Sequence, residues 1–112
     1  MTMSVTRIFT FEAAHWLPNY DGPCAVMHGH SYILHVTYTG PVQRNGMVID
    51  FGDVKAAVEP ILNTLDHHCL NDTIPTPTAE TILKYIKARL NDGRVSKLVL
   101  YETAKCYATW EA

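Results

Sequence analysis

Runs of basic residues are missing from this chain. Its nine lysines and arginines are scattered, and the formal net charge is −2 at pH 7, which argues against a nucleic-acid surface. No apolar stretch approaches membrane-spanning length, so no membrane contact is expected. The N-terminal MTMSVTRIFTFEAAH lacks the basic-then-apolar layout of a signal peptide, and a cytoplasmic location is expected. Cysteine is sparse: Cys24, Cys69 and Cys106, odd in number and irregularly spaced. That argues against a disulfide scaffold and leaves room for a working thiol. Repeats and low-complexity segments are absent as well. What remains is 112 residues, 47% hydrophobic and 18% charged, which suits one globular domain over residues 1–112.

Residues 5–15 alternate, with Arg7, Phe9, Phe11, Ala13 and His15 on one side and Ile8, Thr10, Glu12 and Ala14 on the other. Such β-branched and aromatic content predicts a strand. Residues 16–27 have a loop composition. Residues 30–39, HSYILHVTYT, read as a second strand that Gly40-Pro41 ends, and 46–50 as a short extended piece. The period then changes. Val54, Ala57, Val58, Ile61, Leu62 and Leu65 share one helical face, with Asp53 placed to cap the start and Pro60 expected to kink the helix. After a loop at 66–77, a second helix turns Ala79, Ile82, Leu83, Ile86 and Leu90 inward. Thr78 is its expected N-cap, and Asn91-Asp92-Gly93 stops it. Residues 95–102 and 105–110 read as a closing pair of strands.

The order β-β-α-α-β-β predicts an α+β fold, an antiparallel sheet with two helices on one face. Several strands look apolar on both faces, so the second face is expected to find cover from a partner subunit.

His28 and His30 lie two apart in an extended segment, so both rings project to the same face. If the first two strands pair antiparallel, His15 arrives beside them, and three imidazoles can hold a zinc with one position open. The competing reading is three ordinary strand histidines; an H-x-H pair alone gives about even odds of metal binding. Cys24 fits either a fourth ligand or a nearby base or nucleophile. Asp66 can orient His67, but only in a turn, because neighbours on a strand point apart. Alternation groups Glu102 with Ser96, Leu98 and Leu100; if that face is apolar the carboxylate is buried and must be paired. His35 and His68 are read as structural.

Taken in order, FTFEAAH, CAVMHGH, VIDFGDVKAAV, LDHHCLND, PTAE and YET resemble the 6-pyruvoyl-tetrahydropterin synthase / 6-carboxy-tetrahydropterin synthase family from about residue 7 to 110. The resemblance implies the T-fold (tunnelling fold), with three subunits closing their sheets into a barrel and two trimers stacking into a hexamer. It implies active sites between subunits and a pterin triphosphate substrate. His15, His28 and His30 become the zinc ligands, Cys24 the catalytic thiol, and Asp66 with His67 the other catalytic pair. Glu102 becomes the pterin anchor, supported by Thr78 and Thr103.

The three residues between Cys24 and His28 resemble the bacterial 6-carboxy-tetrahydropterin synthases of the queuosine route. The expected reaction converts 7,8-dihydroneopterin triphosphate to 6-carboxy-5,6,7,8-tetrahydropterin with loss of triphosphate and acetaldehyde. The alternatives are the pyruvoyl synthase, which stops at triphosphate elimination, and a non-catalytic zinc or pterin binder. A third, an aldolase of the same fold, is disfavoured because such aldolases need no metal. One departure stands out: Trp16 occupies a position where the family commonly has arginine.

Overall fold

A computed structural model describes residues 1–112. Strand β1, Thr2–His15, and strand β2, His28–Pro41, form a long antiparallel hairpin. It pairs without slippage from Thr2 opposite Pro41 to His15 opposite His28. At about 3.4 Å per residue such strands run close to 48 Å, and they set the 53 Å long axis of the molecule. Helix α1 (Phe51–Leu62), a two-residue strand β3 (His68–Cys69) and helix α2 (Ala79–Arg89) follow, then strands β4 (Val95–Thr103) and β5 (Cys106–Glu111). The sheet order is β3-β1-β2-β4-β5. The chain has the T-fold architecture, α+β, with both helices on one sheet face.

Period-two burial fixes the faces. Phe11, Ala13, Tyr32, Leu34, Val36, Tyr38, Leu98 and Leu100 point inward and pack with Val54, Val58, Ile61, Ile82, Leu83 and Ile86 of the helices. Each such aliphatic side chain removed from water contributes roughly 1.5–3 kcal/mol. The outer face is mixed rather than apolar throughout. Ile8 and Tyr107 stand more than half exposed, beside hydroxyl pairs such as Thr6–Thr37 at 2.7 Å.

Four expectations need correction. Residues 46–50 are not strand: the segment turns at Gly46, whose φ of 83° suits glycine, and Val48 drops into the core. The cap of α1 is Asp50, whose side chain accepts from the Gly52 N–H; Asp53 lies inside the first turn. The loop at 66–77 contains β3 and a short 3-10 turn at Leu70–Asp72. Ala57 is exposed rather than inward, and Leu65 is buried from the turn after α1, which runs through Pro60 and ends at Leu62. The Thr78 cap stands as read, with its hydroxyl accepting from the Thr81 N–H.

Candidate metal and pterin site

The hairpin register carries His15 to the position opposite His28, and alternation turns His28 and His30 to the same inner face. The three rings pack edge-on with centroids 4.6–5.0 Å apart. His15 is 1% exposed. The ring protons can be located from their partners. His15 Nδ1 donates to the Pro77 carbonyl at 2.7 Å, and His28 Nδ1 donates to the Val26 carbonyl at 2.6 Å. A carbonyl only accepts, so each proton sits on Nδ1 and each Nε2 carries a lone pair. Those two Nε2 atoms face each other at 3.0 Å. Two lone pairs at that distance repel unless a proton or a metal ion lies between them.

His30 adds a second sign. Its Nε2 is buried without a hydrogen-bond partner, although Glu102 Oε1 is 3.1 Å away. Burial holds the His30 imidazole below its ordinary pKa, outweighing the pull of Glu102, and His15 and His28 lower it further. At neutral pH the ring is uncharged and its contact with Glu102 is not an ion pair. One donor atom each from His15, His28, His30 and Glu102 lies within 4.8 Å of the others. Tetrahedral zinc with bonds of about 2.0–2.1 Å separates its donors by about 3.3–3.4 Å. Here His15–His28, His30–Glu102 and His15–Glu102 measure 3.0, 3.1 and 4.0 Å. Imidazole and carboxylate donors in this spacing fit a divalent metal such as zinc.

Cys24 lies in a 3-10 turn, Pro23–Ala25. Its carbonyl accepts from the Leu17 N–H at 2.8 Å, folding the loop back onto the end of β1. Its half-buried thiol is not among the convergent donors; the fourth donor is Glu102.

Asp66 and His67 do meet, and in a turn. His67 has φ +58°, a conformation few non-glycine residues adopt. This brings His67 Nδ1 within 2.9 Å of Asp66 Oδ2. Asp66 Oδ1 accepts from the Glu12 N–H at 2.8 Å, and the His67 N–H donates to the Glu12 carbonyl. The Glu12 N–H, followed by His67, holds the Asp66 carboxyl below its ordinary pKa. His67 is largely exposed and lines an open groove with Glu12, Ser31 and Cys69 and with His30 of the imidazole cluster. His15 and His28, the other two rings of the cluster, do not line this groove.

Thr78 spends its hydroxyl on the start of α2, one residue from the carbonyl that holds His15. Thr103 is exposed, and its hydroxyl accepts from the Lys105 N–H. His35 lies tilted against Tyr101, and His68 Nδ1 bonds the Asp66 carbonyl. Sequence reasoning missed the Pro77 and Val26 carbonyls, which carry no residue-type signal. It also missed Tyr32, stacked on Phe11 at 4.8 Å under the cluster. Burial, reinforced by Glu102, pushes the Tyr32 hydroxyl well above the usual phenol range. Asn71 holds the Trp16 backbone at both its N–H and its carbonyl.

A family model described as 6-pyruvoyl tetrahydropterin synthase matches residues 4–112. The chain is 40% identical over 102 residues to a 6-carboxy-5,6,7,8-tetrahydropterin synthase of Synechocystis sp., covering 84% of this chain and 79% of that one. It is 31% identical to the Haemophilus influenzae protein of the same name, covering 96% and 97%. A Pyrococcus furiosus dihydroneopterin monophosphate aldolase is 32% identical over 98 residues, covering 83% of each. Among solved structures, a Caenorhabditis elegans 6-pyruvoyl tetrahydropterin synthase superimposes with a TM-score of 0.86 at 24% identity, covering 100% of this chain and 96% of that one.

Proposed function

The chain belongs to the 6-pyruvoyl tetrahydropterin synthase family, and from that premise we propose that it is a zinc-dependent lyase of the 6-carboxy-tetrahydropterin type. Its substrate is 7,8-dihydroneopterin triphosphate, its products 6-carboxy-5,6,7,8-tetrahydropterin, triphosphate and acetaldehyde, and its route queuosine biosynthesis in the cytoplasm. The observation that carries the reading is the pair of Nε2 lone pairs from His15 and His28 facing each other at 3.0 Å, with the orphaned His30 Nε2 beside them.

His15, His28 and His30 would hold the zinc. When bound, zinc supplies Lewis-acid polarisation of the substrate's side-chain oxygens. Cys24, as thiolate, takes a proton from the side chain. His67 exchanges protons through Nε2 while Asp66 holds its Nδ1–H and keeps the ring oriented. Glu102 accepts from the adjacent N–H donors of the pterin, a bidentate contact that fixes the ring. Thr78 and Thr103 are the supporting hydroxyls in this reading.

The assembly reading rests on the sheet edges. Both sheet edges are open: β3 pairs only Ala13 and Ala14 of β1, and β5 has no outer neighbour. Head-to-tail joining of unlike edges closes a ring, which supports a trimer, stacked in pairs as a hexamer. No helix is long and apolar enough to cross a membrane.

The Pyrococcus relative favours a second reading, aldol cleavage of the dihydroneopterin side chain. Incubating the zinc-loaded protein with 7,8-dihydroneopterin triphosphate and identifying products by mass spectrometry separates the readings. We expect the 6-carboxy product with acetaldehyde. Triphosphate loss without acetaldehyde would make it a pyruvoyl synthase, a 6-hydroxymethyl pterin an aldolase, and unchanged substrate a binding protein.

A further inference from the structure

Glu102 sits in the fold in a way that anchoring a substrate ring does not by itself explain. Strands β4 and β5 keep a regular register as far as Tyr101 opposite Tyr107 and resume at Thr103 opposite Cys106. Glu102 is therefore the extra residue of a β-bulge, a device that re-aims one side chain and recurs beside active sites. Alternation with the buried Leu98 and Leu100 keeps Glu102 on the inner face, and its carboxylate reaches the imidazole cluster. Oε1 lies 3.1 Å from His30 Nε2 and 4.0 Å from His15 Nε2, and the side chain is a quarter exposed.

The 3.1 Å approach is not a hydrogen bond, since His30 Nε2 has no partner. Both residues instead belong to the group whose donor atoms converge. The four donor atoms lie within 4.8 Å of one another, close enough to converge on one ion. Three neutral imidazoles would leave both charges of a divalent ion uncompensated in a partly buried site, and one carboxylate offsets half of that.

We infer that Glu102 is the fourth metal donor of the substrate-free protein, and that a pterin ring claims the same carboxylate. Seating the ring then frees the coordination position for the substrate's side chain. The metal stays closed, with four protein donors and no vacancy, until the correct heterocycle arrives. Ring recognition and metal exposure become a single event, which makes Glu102 a specificity switch as well as an anchor. The inference rests on the proposed metal-dependent pterin chemistry.

Cobalt in place of zinc reports the coordination sphere through its visible absorption, independently of turnover. Wild type, Glu102→Gln and the metal-site baseline His28→Ala are compared without substrate and then with 6-methylpterin. That compound carries the ring donors but no side-chain hydroxyls. We expect the substrate-free spectra of wild type and Glu102→Gln to differ. Zinc affinity of the variant, measured by chelator competition, should fall at least about 10-fold, the lower end of what losing a supporting group of a metal site costs. 6-Methylpterin should shift the wild-type spectrum alone. Identical substrate-free spectra and affinities would overturn the inference while leaving the metal site standing. A 6-methylpterin response that is absent in wild type, or equal in the variant, would overturn the exchange. If wild type takes up no cobalt, the inference and the metal-dependent reading fall together.

Discussion

Stripping the metal should soften the whole domain, by an amount that can be worked out. His15 is 1% exposed and braced by the Pro77 carbonyl, so its ring cannot swing away when the ion leaves. The metal-free state keeps the His15 Nε2 3.0 Å from that of His28. A ligand bound only by the folded chain stabilises it by RT ln(1 + [L]/Kd), about 2.7 kcal/mol when free zinc is 100 times Kd. With unfolding entropy of about 2.1 cal/mol/K per residue, each kcal/mol moves the Tm of a chain this size by about 4 °C, so that excess should raise Tm by about 11 °C. Circular dichroism melts of chelator-treated and zinc-loaded protein measure the difference directly. His28→Ala should erase it, and adding magnesium instead should not restore it. An unchanged Tm after metal removal, or an undiminished zinc response in His28→Ala, would refute the reasoning.

Three further outcomes follow from the same geometry. Cys24→Ala should lose turnover yet retain stoichiometric zinc, because the thiol is not one of the convergent donors; zinc analysis beside a product assay checks both halves. Thr78→Ala removes the cap of α2 and should cost about 1 kcal/mol. Because Pro77 next to it holds His15, zinc affinity should fall along with Tm. The Asp66 carboxyl sits below its ordinary pKa. The stability it confers is therefore complete above the unfolded carboxyl value, about 3.9, and is lost as pH falls through the lower folded value. Acid melts of Asp66→Asn should lack that part of the decline; a profile identical to wild type would show that the Glu12 and His67 contacts contribute nothing.

The legible parts were those with local periodicity. Alternation from Val5 to His15 and from His30 to Thr39 marks β1 and β2, because one face of that hairpin is buried or half-buried there. The apolar steps of α1 and α2 are local in the same way. The start of α1 misleads because Asp50 and Asp53 are both acidic and the apolar pattern begins only at Val54; the choice is made by the Gly52 N–H. Strand β3 has two residues and exists only by pairing with Ala13 and Ala14, a contact invisible to a local reading. The three histidines were visible because H-x-H on a strand has one geometric meaning and the hairpin brings His15 across. Alternation put Glu102 on the face of Leu98 and Leu100, but its approach to the imidazoles was not visible, since that needs β2–β4 pairing. The Asp66–His67 contact depended on a backbone conformation that histidine seldom adopts.

The account turns on whether three imidazole nitrogens from β1 and β2 share one ion. A crystal of zinc-loaded protein, recorded at the zinc absorption edge, measures this most directly. The account predicts one anomalous peak per chain, about 2.0–2.1 Å from Nε2 of His15, His28 and His30. No peak there, or a peak bound by Cys24 in place of one of those nitrogens, would contradict it.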